Sequence, residues 1–108
     1  MSDESEIIRL AQKGDLEAFN QLVLAYQDMA FNTAYRILSD ADNACDAAQT
    51  ALISAYRNIK RFRGGSFRAW LMRIVTNACY DEFRKRKRQP TIPLEPAGYD
   101  NQPDLDTV

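Results

Sequence analysis

The segment RFRGGSFRAWLMRIVTNACYDEFRKRKR, residues 61–88, reads as a loop, a helix start and a long helix in that order. Gly64 and Gly65 interrupt any regular element, and Ser66 directly after them can accept the free amide hydrogens of a helix N-terminus. From there Phe67, Trp70, Leu71, Ile74 and Ala78 recur at intervals of three and four, which is the period of one helix face and not of a strand. Met72, Val75, Cys79 and Phe83 make a second apolar stripe, either packed on the bundle or open to a partner. Past Ala78 the first stripe runs into Asp81 and Lys85, so the last turns are expected to leave the core for solvent.

Upstream the same period persists. A helix over about residues 5–12 turns Ile7, Ile8 and Ala11 inward and stops at Lys13-Gly14, where glycine can take the left-handed C-cap conformation. Asp15 caps a second helix with the stripe Phe19, Leu22, Val23, Tyr26, Ala30, Ala34, Ile37 and Leu38, ending near Ser39. Asp40 or Asp42 opens a third, with Ala44, Ala47, Ala48, Ala51, Leu52, Ala55, Tyr56 and Ile59 inward, and its alanines permit close helix packing. The fold class is therefore all-α: a compact bundle of about four helices over residues 1–88. Residues 89–108 hold Pro90, Pro93, Pro96, Pro103 and Gly98 with four acids and no base, and are expected to form a flexible acidic C-terminal tail or linker.

With 108 residues the chain has room for one domain. No apolar run approaches the roughly 18 to 20 residues of a membrane span, and the acidic start is not a secretion signal, so a cytoplasmic location is expected. Cys45 and Cys79, 34 positions apart, match neither a CxxC redox motif nor a paired zinc site, and buried reduced thiols are expected at both. Histidine is absent, which removes the commonest general base near neutral pH. The carboxylate pair Asp42 and Asp46 is explained by the dipole of a helix N-terminus, and Gly64-Gly65 lacks the lysine and spacing of a P-loop. No catalytic residue, cofactor or metal site is expected.

Charge is segregated along the chain. Residues 1–56 carry nine acids against three bases, and residues 57–88 carry eleven bases against only Asp81 and Glu82. Such a division suggests one acidic partner surface and one polyanion-binding surface. In the basic part Arg73, Asn77, Tyr80 and Arg84 fall on one side of the helix at about 100° per residue, with Arg68, Phe62, Phe67 and Trp70 nearby. Cations neutralise phosphates and release counterions, and aromatic faces stack on unpaired bases. The plainer reading of the aromatics is core packing, but five consecutive bases at 84–88 exceed what the helix dipole calls for.

Four ordered motifs carry a family resemblance over about residues 5–88. Lys13-Gly14-Asp15-Leu16-Glu17-Ala18-Phe19 resembles the GD-x-x-AF opening of extracytoplasmic-function (ECF) sigma factors, and Tyr35-Arg36-Ile37-Leu38-Ser39-Asp40 their R-x-L-(G/S)-D turn. Residues 42–50, from Asp42 to Thr50, resemble the D-x-x-D-x-x-Q-E core-binding segment, and residues 62–77 the F-x-G-x-(S/A)-F-x-x-W-L-x-x-I-x-x-N block. The resemblance implies region 2 of such a factor at residues 1–88, binding the β′ clamp helices of RNA polymerase core through Arg36, Leu38, Asp42, Asp46, Gln49, Thr50, Leu52 and Ile53. Thr50 stands where glutamate is common, which takes one charge from that face. It also implies that the nontemplate strand of a −10 promoter element is opened and held by Arg61, Phe62, Arg63, Ser66, Phe67, Arg68, Trp70, Arg73, Asn77, Tyr80, Arg84, Lys85 and Arg88. The tail resembles the linker toward a region 4 that nothing after residue 88 would form, and an anti-sigma factor is a further partner the family admits. A generic helical nucleic-acid-binding regulator and a protein-interaction bundle with an acidic partner are the alternative readings.

Overall fold

The computed structural model describes residues 3–88, with side chains through Lys85; the acidic segment 89–108 lies outside the described residues. Four helices follow in order: α1 (Glu4–Gln12), α2 (Leu16–Leu38), α3 (Ala41–Asn58) and α4 (Phe67–Arg88), with a 3₁₀ turn Ile59–Arg61 after α3. No strand occurs among the described residues.

The helix boundaries follow from local chemistry. Gly14, at φ 101°, reverses the chain after α1, in a conformation that a Cβ would disfavour. The Asp15 carboxylate then accepts the amide hydrogens of Glu17 at 3.0 Å and Ala18 at 3.2 Å. Caps of this kind typically contribute about 1 kcal/mol. Ser39 closes α2 in the left-handed region at φ 57°, its amide donating to the Tyr35 carbonyl. Of the two acids considered for α3, Asp40 is the cap, accepting from the Asp42 amide and from Asn43 Nδ2. Ser66 Oγ accepts from the Ala69 amide at 3.0 Å, as expected for the start of α4.

Helices α2, α3 and α4 pack on one another, and α3 turns its alanines inward: Ala44, Ala47, Ala48, Ala51 and Ala55 are all buried. With no side chain beyond Cβ, α3 lets its neighbours approach closely, so Leu22, Ala30, Ala34 and Leu38 of α2 and Leu71, Val75 and Cys79 of α4 fill the core. Helix α1 packs on α2 and reaches the 3₁₀ turn.

Several side chains depart from the expected pattern. Val75 and Cys79 have no exposed surface, whereas Trp70, Ile74 and Ala78 are half-buried. The core-facing line of α4 is thus Phe67, Leu71, Val75 and Cys79, rotated from the first apolar stripe because α2 and α3 flank the helix on two sides. Two members of the second stripe are core residues and offer no surface to a partner. Burial, assisted by Glu82, pushes the Cys79 thiol up to about 11. Cys45 is exposed, contrary to the expectation of two buried thiols, because it sits one residue beyond the Ala44 core position and a step of about 100° turns it outward. Tyr56 is 45% exposed and not inward; its ring and that of Phe19 meet edge to face with centroids 5.1 Å apart.

Candidate nucleic-acid interface

The loop between α3 and α4 is built on aromatic contacts. Phe62 meets Phe67 at 5.6 Å and Trp70 at 5.4 Å, Phe67 meets Trp70 at 5.5 Å, and Tyr26 of α2 adds a fourth ring 5.4 Å from Phe67. Phe67 lies at the bottom of this cluster, 4% exposed, so its faces are occupied by other rings. Phe62 and Trp70 are half-buried and present part of their surface. Above them Gly64 and Gly65 take φ 105° and 85°, which brings the chain round in two residues and leaves Arg61, Arg63, Ser66 and Arg68 exposed on the rim. The Tyr26 hydroxyl donates to Glu4 Oε2 at 2.6 Å. Burial and that acidic neighbour push the phenol up to about 12, against a smaller opposing effect of Arg68.

The loop is also tied down from α1. Gln12 Nε2 donates to the carbonyls of Ile59 and Phe62, each at 2.9 Å. Sequence reading gave no sign of this residue, because its partners lie 47 and 50 positions away.

A groove of about 350 Å³ runs between α3 and α4. Trp70, Ile74, Ala51 and Ala78 supply its apolar part, and Arg61, Arg73, Asn77 and Asp81 its polar part, with Thr50, Ser54 and Asn58 on the α3 side. Arg73 and Asn77, expected together on one side of the helix, are brought together here with Arg61 of the loop. Tyr80 lies further along α4, 39% exposed and 6.5 Å from Phe83. The Arg84 guanidinium, expected to face phosphates, pairs with the Asp81 carboxylate one turn back. Lys85 is exposed; Arg88 lies within α4, beyond the described side chains.

On α3, Asp42, Asp46, Gln49 and Ile53 are exposed at intervals of three and four, forming one outward stripe opposite the alanines. Gln49 Nε2 approaches Cys45 Sγ on the same face. Arg36 is exposed at the end of α2. Leu38, which the resemblance placed in this surface, is only 4% exposed and seals the core, so it is corrected to a supporting residue, and Leu52 is half-buried. Thr50 is exposed but turns toward the α3–α4 groove, near Arg73 and Asn77.

Among the described residues no cluster of acids and thiols could hold a metal, and no helix is long and apolar enough to cross a membrane. Residues 22–89 match the family model for sigma-70 region 2. The chain is 40% identical over 92 residues to the ECF RNA polymerase sigma factor SigW of Bacillus subtilis, covering 84% of this chain and 49% of that protein. It is 40% identical over 88 residues to the RNA polymerase sigma-H factor of Pseudomonas aeruginosa, covering 81% and 46%. Against the ECF RNA polymerase sigma-E factor of Escherichia coli K12 the identity is 38% over 85 residues, covering 78% and 44%. The chain thus spans about half the length of these relatives. Among solved structures it is similar to an engineered region 2 of sigmaE determined by NMR in complex with GTAAAA, with TM-score 0.79 and 30% identity over 85% of this chain and all of that one.

Proposed function

This chain belongs to the sigma-70 region 2 family, and from that premise we propose that it is the promoter-opening module of an ECF-type sigma factor. Residues 1–88 form the module, and residues 89–108 serve as a linker. It docks on RNA polymerase core, at the β′ clamp helices, through the outward stripe Asp42, Asp46, Gln49 and Ile53 with Arg36. It holds the unpaired nontemplate strand of a −10 element along the loop and the groove beside α4. The observation that carries the reading is the convergence of Arg61, Trp70, Arg73 and Asn77, from the loop and α4, on one groove.

The division of labour follows from the side-chain types. Trp70 and Phe62 offer partial aromatic faces, and stacking one base on such a face contributes about 1–3 kcal/mol. Unstacking a base from the duplex costs a few kcal/mol, so a small number of captured bases offsets the opening without nucleotide hydrolysis. Asn77 can donate to and accept from a base edge, whereas Arg61, Arg73 and Lys85 answer the phosphates. The first type of contact selects sequence and the second sets position and affinity.

Two assays test the proposal. Immobilised core polymerase should retain the wild-type chain and bind an Asp46→Ala, Gln49→Ala double variant roughly tenfold more weakly, the size of one lost charge-assisted contact. A fluorescence titration should show Asn77→Ala flattening the preference for a GTAAAA single strand over a scrambled one, and Lys85→Ala weakening both alike. Unchanged polymerase binding by the double variant refutes the docking face. Equal, sequence-independent losses for Asn77→Ala and Lys85→Ala refute base reading by Asn77.

A further inference from the structure

We propose that Gln12 is a positioning residue for base recognition, a latch through which α1 sets the conformation of the strand-receiving loop; this rests on the reading of that loop given above. The carboxamide spans both ends of the turn that leads into the loop, donating one hydrogen to the Ile59 carbonyl and one to the Phe62 carbonyl. Those two carbonyls are not equivalent. Ile59 is 3% exposed and its side chain belongs to the core, whereas Phe62 is the first residue beyond the 3₁₀ turn and carries one of the rings of the aromatic cluster.

The turn also closes on itself, the Phe62 amide donating to the Ile59 carbonyl at 3.1 Å. Gln12 adds two contacts to this turn from a helix 47 and 50 positions away in the chain. Two residues further on come Gly64 and Gly65, whose backbones are intrinsically the least restricted in the chain. A loop entered by a loose turn and containing two glycines would sample many orientations of Phe62 and Arg63. A loop whose entry is clamped has to order fewer residues on binding, and pre-ordering of this kind raises affinity for the ligand that fits. Gln12 lies at the last position of α1, half-buried, and its helix is braced at the other end by the Glu4 to Tyr26 hydrogen bond. The latch is thus anchored on α2 and makes no contact with bases itself.

Two substitutions separate a latch from a space-filling role. Gln12→Met keeps the length and removes the donors, whereas Gln12→Lys keeps a donor able to reach the same carbonyls. The readout is the ratio of affinities for a GTAAAA single strand and a scrambled strand of equal length, because the charge added by lysine acts on both strands and cancels in the ratio. Gln12→Met is expected to lower the ratio about tenfold, in keeping with two lost hydrogen bonds of ordinary strength, and Gln12→Lys to restore most of it. Amide exchange in residues 61–66 should accelerate in Gln12→Met while Leu71 and Val75 stay protected. A folded Gln12→Met variant with wild-type ratio and wild-type loop exchange overturns the proposal. Should Gln12→Met fail to fold, Gln12→Leu, which also lacks donors, replaces it with the same readouts: a lowered ratio and faster loop exchange support the latch, and wild-type values of both overturn it. If the wild type itself binds both strands equally, the base-reading premise falls and the latch is left as a structural contact, which loop exchange still reports.

Discussion

Replacing Asp81 by asparagine should tighten binding to every single strand, whatever its sequence, and steepen its dependence on salt. In the free protein the Arg84 guanidinium faces the Asp81 carboxylate, one turn back on α4; the arginine side chain is 20% exposed and the carboxylate 61%. A phosphate that uses Arg84 must first displace this partner. For a pair so exposed on the acidic side, separated by three residues on a helix, the contribution to stability is only about 0.2–0.5 kcal/mol. Asp81→Asn therefore leaves the fold intact and keeps the groove wall nearly unchanged in shape. The freed cation adds at most one phosphate contact, which for single strands steepens the slope of log affinity against log salt by about 0.7. Between about 200 and about 50 mM salt, that extra contact amounts to an additional gain of about 2.6-fold in affinity on dilution. The assay is an anisotropy titration of a scrambled labelled strand at four salt concentrations, with circular dichroism to confirm the fold. A slope equal to wild type would refute the reasoning, since it would mean that Arg84 either never meets a phosphate or does so without leaving Asp81.

Leu71 is 1% exposed at the centre of α4, so Leu71→Ala should destabilise the domain by about 3–5 kcal/mol in chemical denaturation, the range for an enclosed leucine whose cavity does not collapse. The phenol of Tyr26 is pushed from 10.0 to about 12 in the fold; the folded state thus holds its proton more tightly than the unfolded chain. The stability from this group is complete below pH 10 and is lost as pH rises toward 12, and absorbance at the phenolate band should show Tyr26 still protonated well above pH 10. A thiol reagent should modify exposed Cys45 in the native protein within minutes and reach buried Cys79, held up at about 11, only with unfolding; rapid reaction of both would show that the packing of α2 and α3 on α4 does not shield Cys79 as described.

The order and extent of the helices were legible in the sequence because they are set by local chemistry. Asp15, Asp40 and Ser66 can each reach the amide hydrogens a few residues ahead, and Gly14 needs only its own backbone freedom. The alanine stripe of α3 was equally legible, since an inward face of small residues has the same spacing whichever neighbours press on it. The charge division likewise required nothing but composition along the chain.

Rotation about each helix axis was decided by packing. Val75 and Cys79 became core, and Trp70 and Ile74 half-buried, because α2 and α3 enclose α4 from two directions, and a single-helix period cannot say where a second neighbour will sit. Leu38, which the family resemblance put on the docking surface, is buried where the apolar period of α2 already placed it, whereas Thr50 turned toward the groove beside Asn77. Gln12 had no local signal at all: a glutamine ending an amphipathic helix is ordinary until the chain brings the carbonyls of Ile59 and Phe62 to its amide. The sequence by itself determined which segments are helices, where they start and which part of the chain is basic. Only the tertiary structure decided which cations are already paired, as Arg84 is with Asp81, and which side chains line one groove, because those depend on contacts between residues that no local period relates.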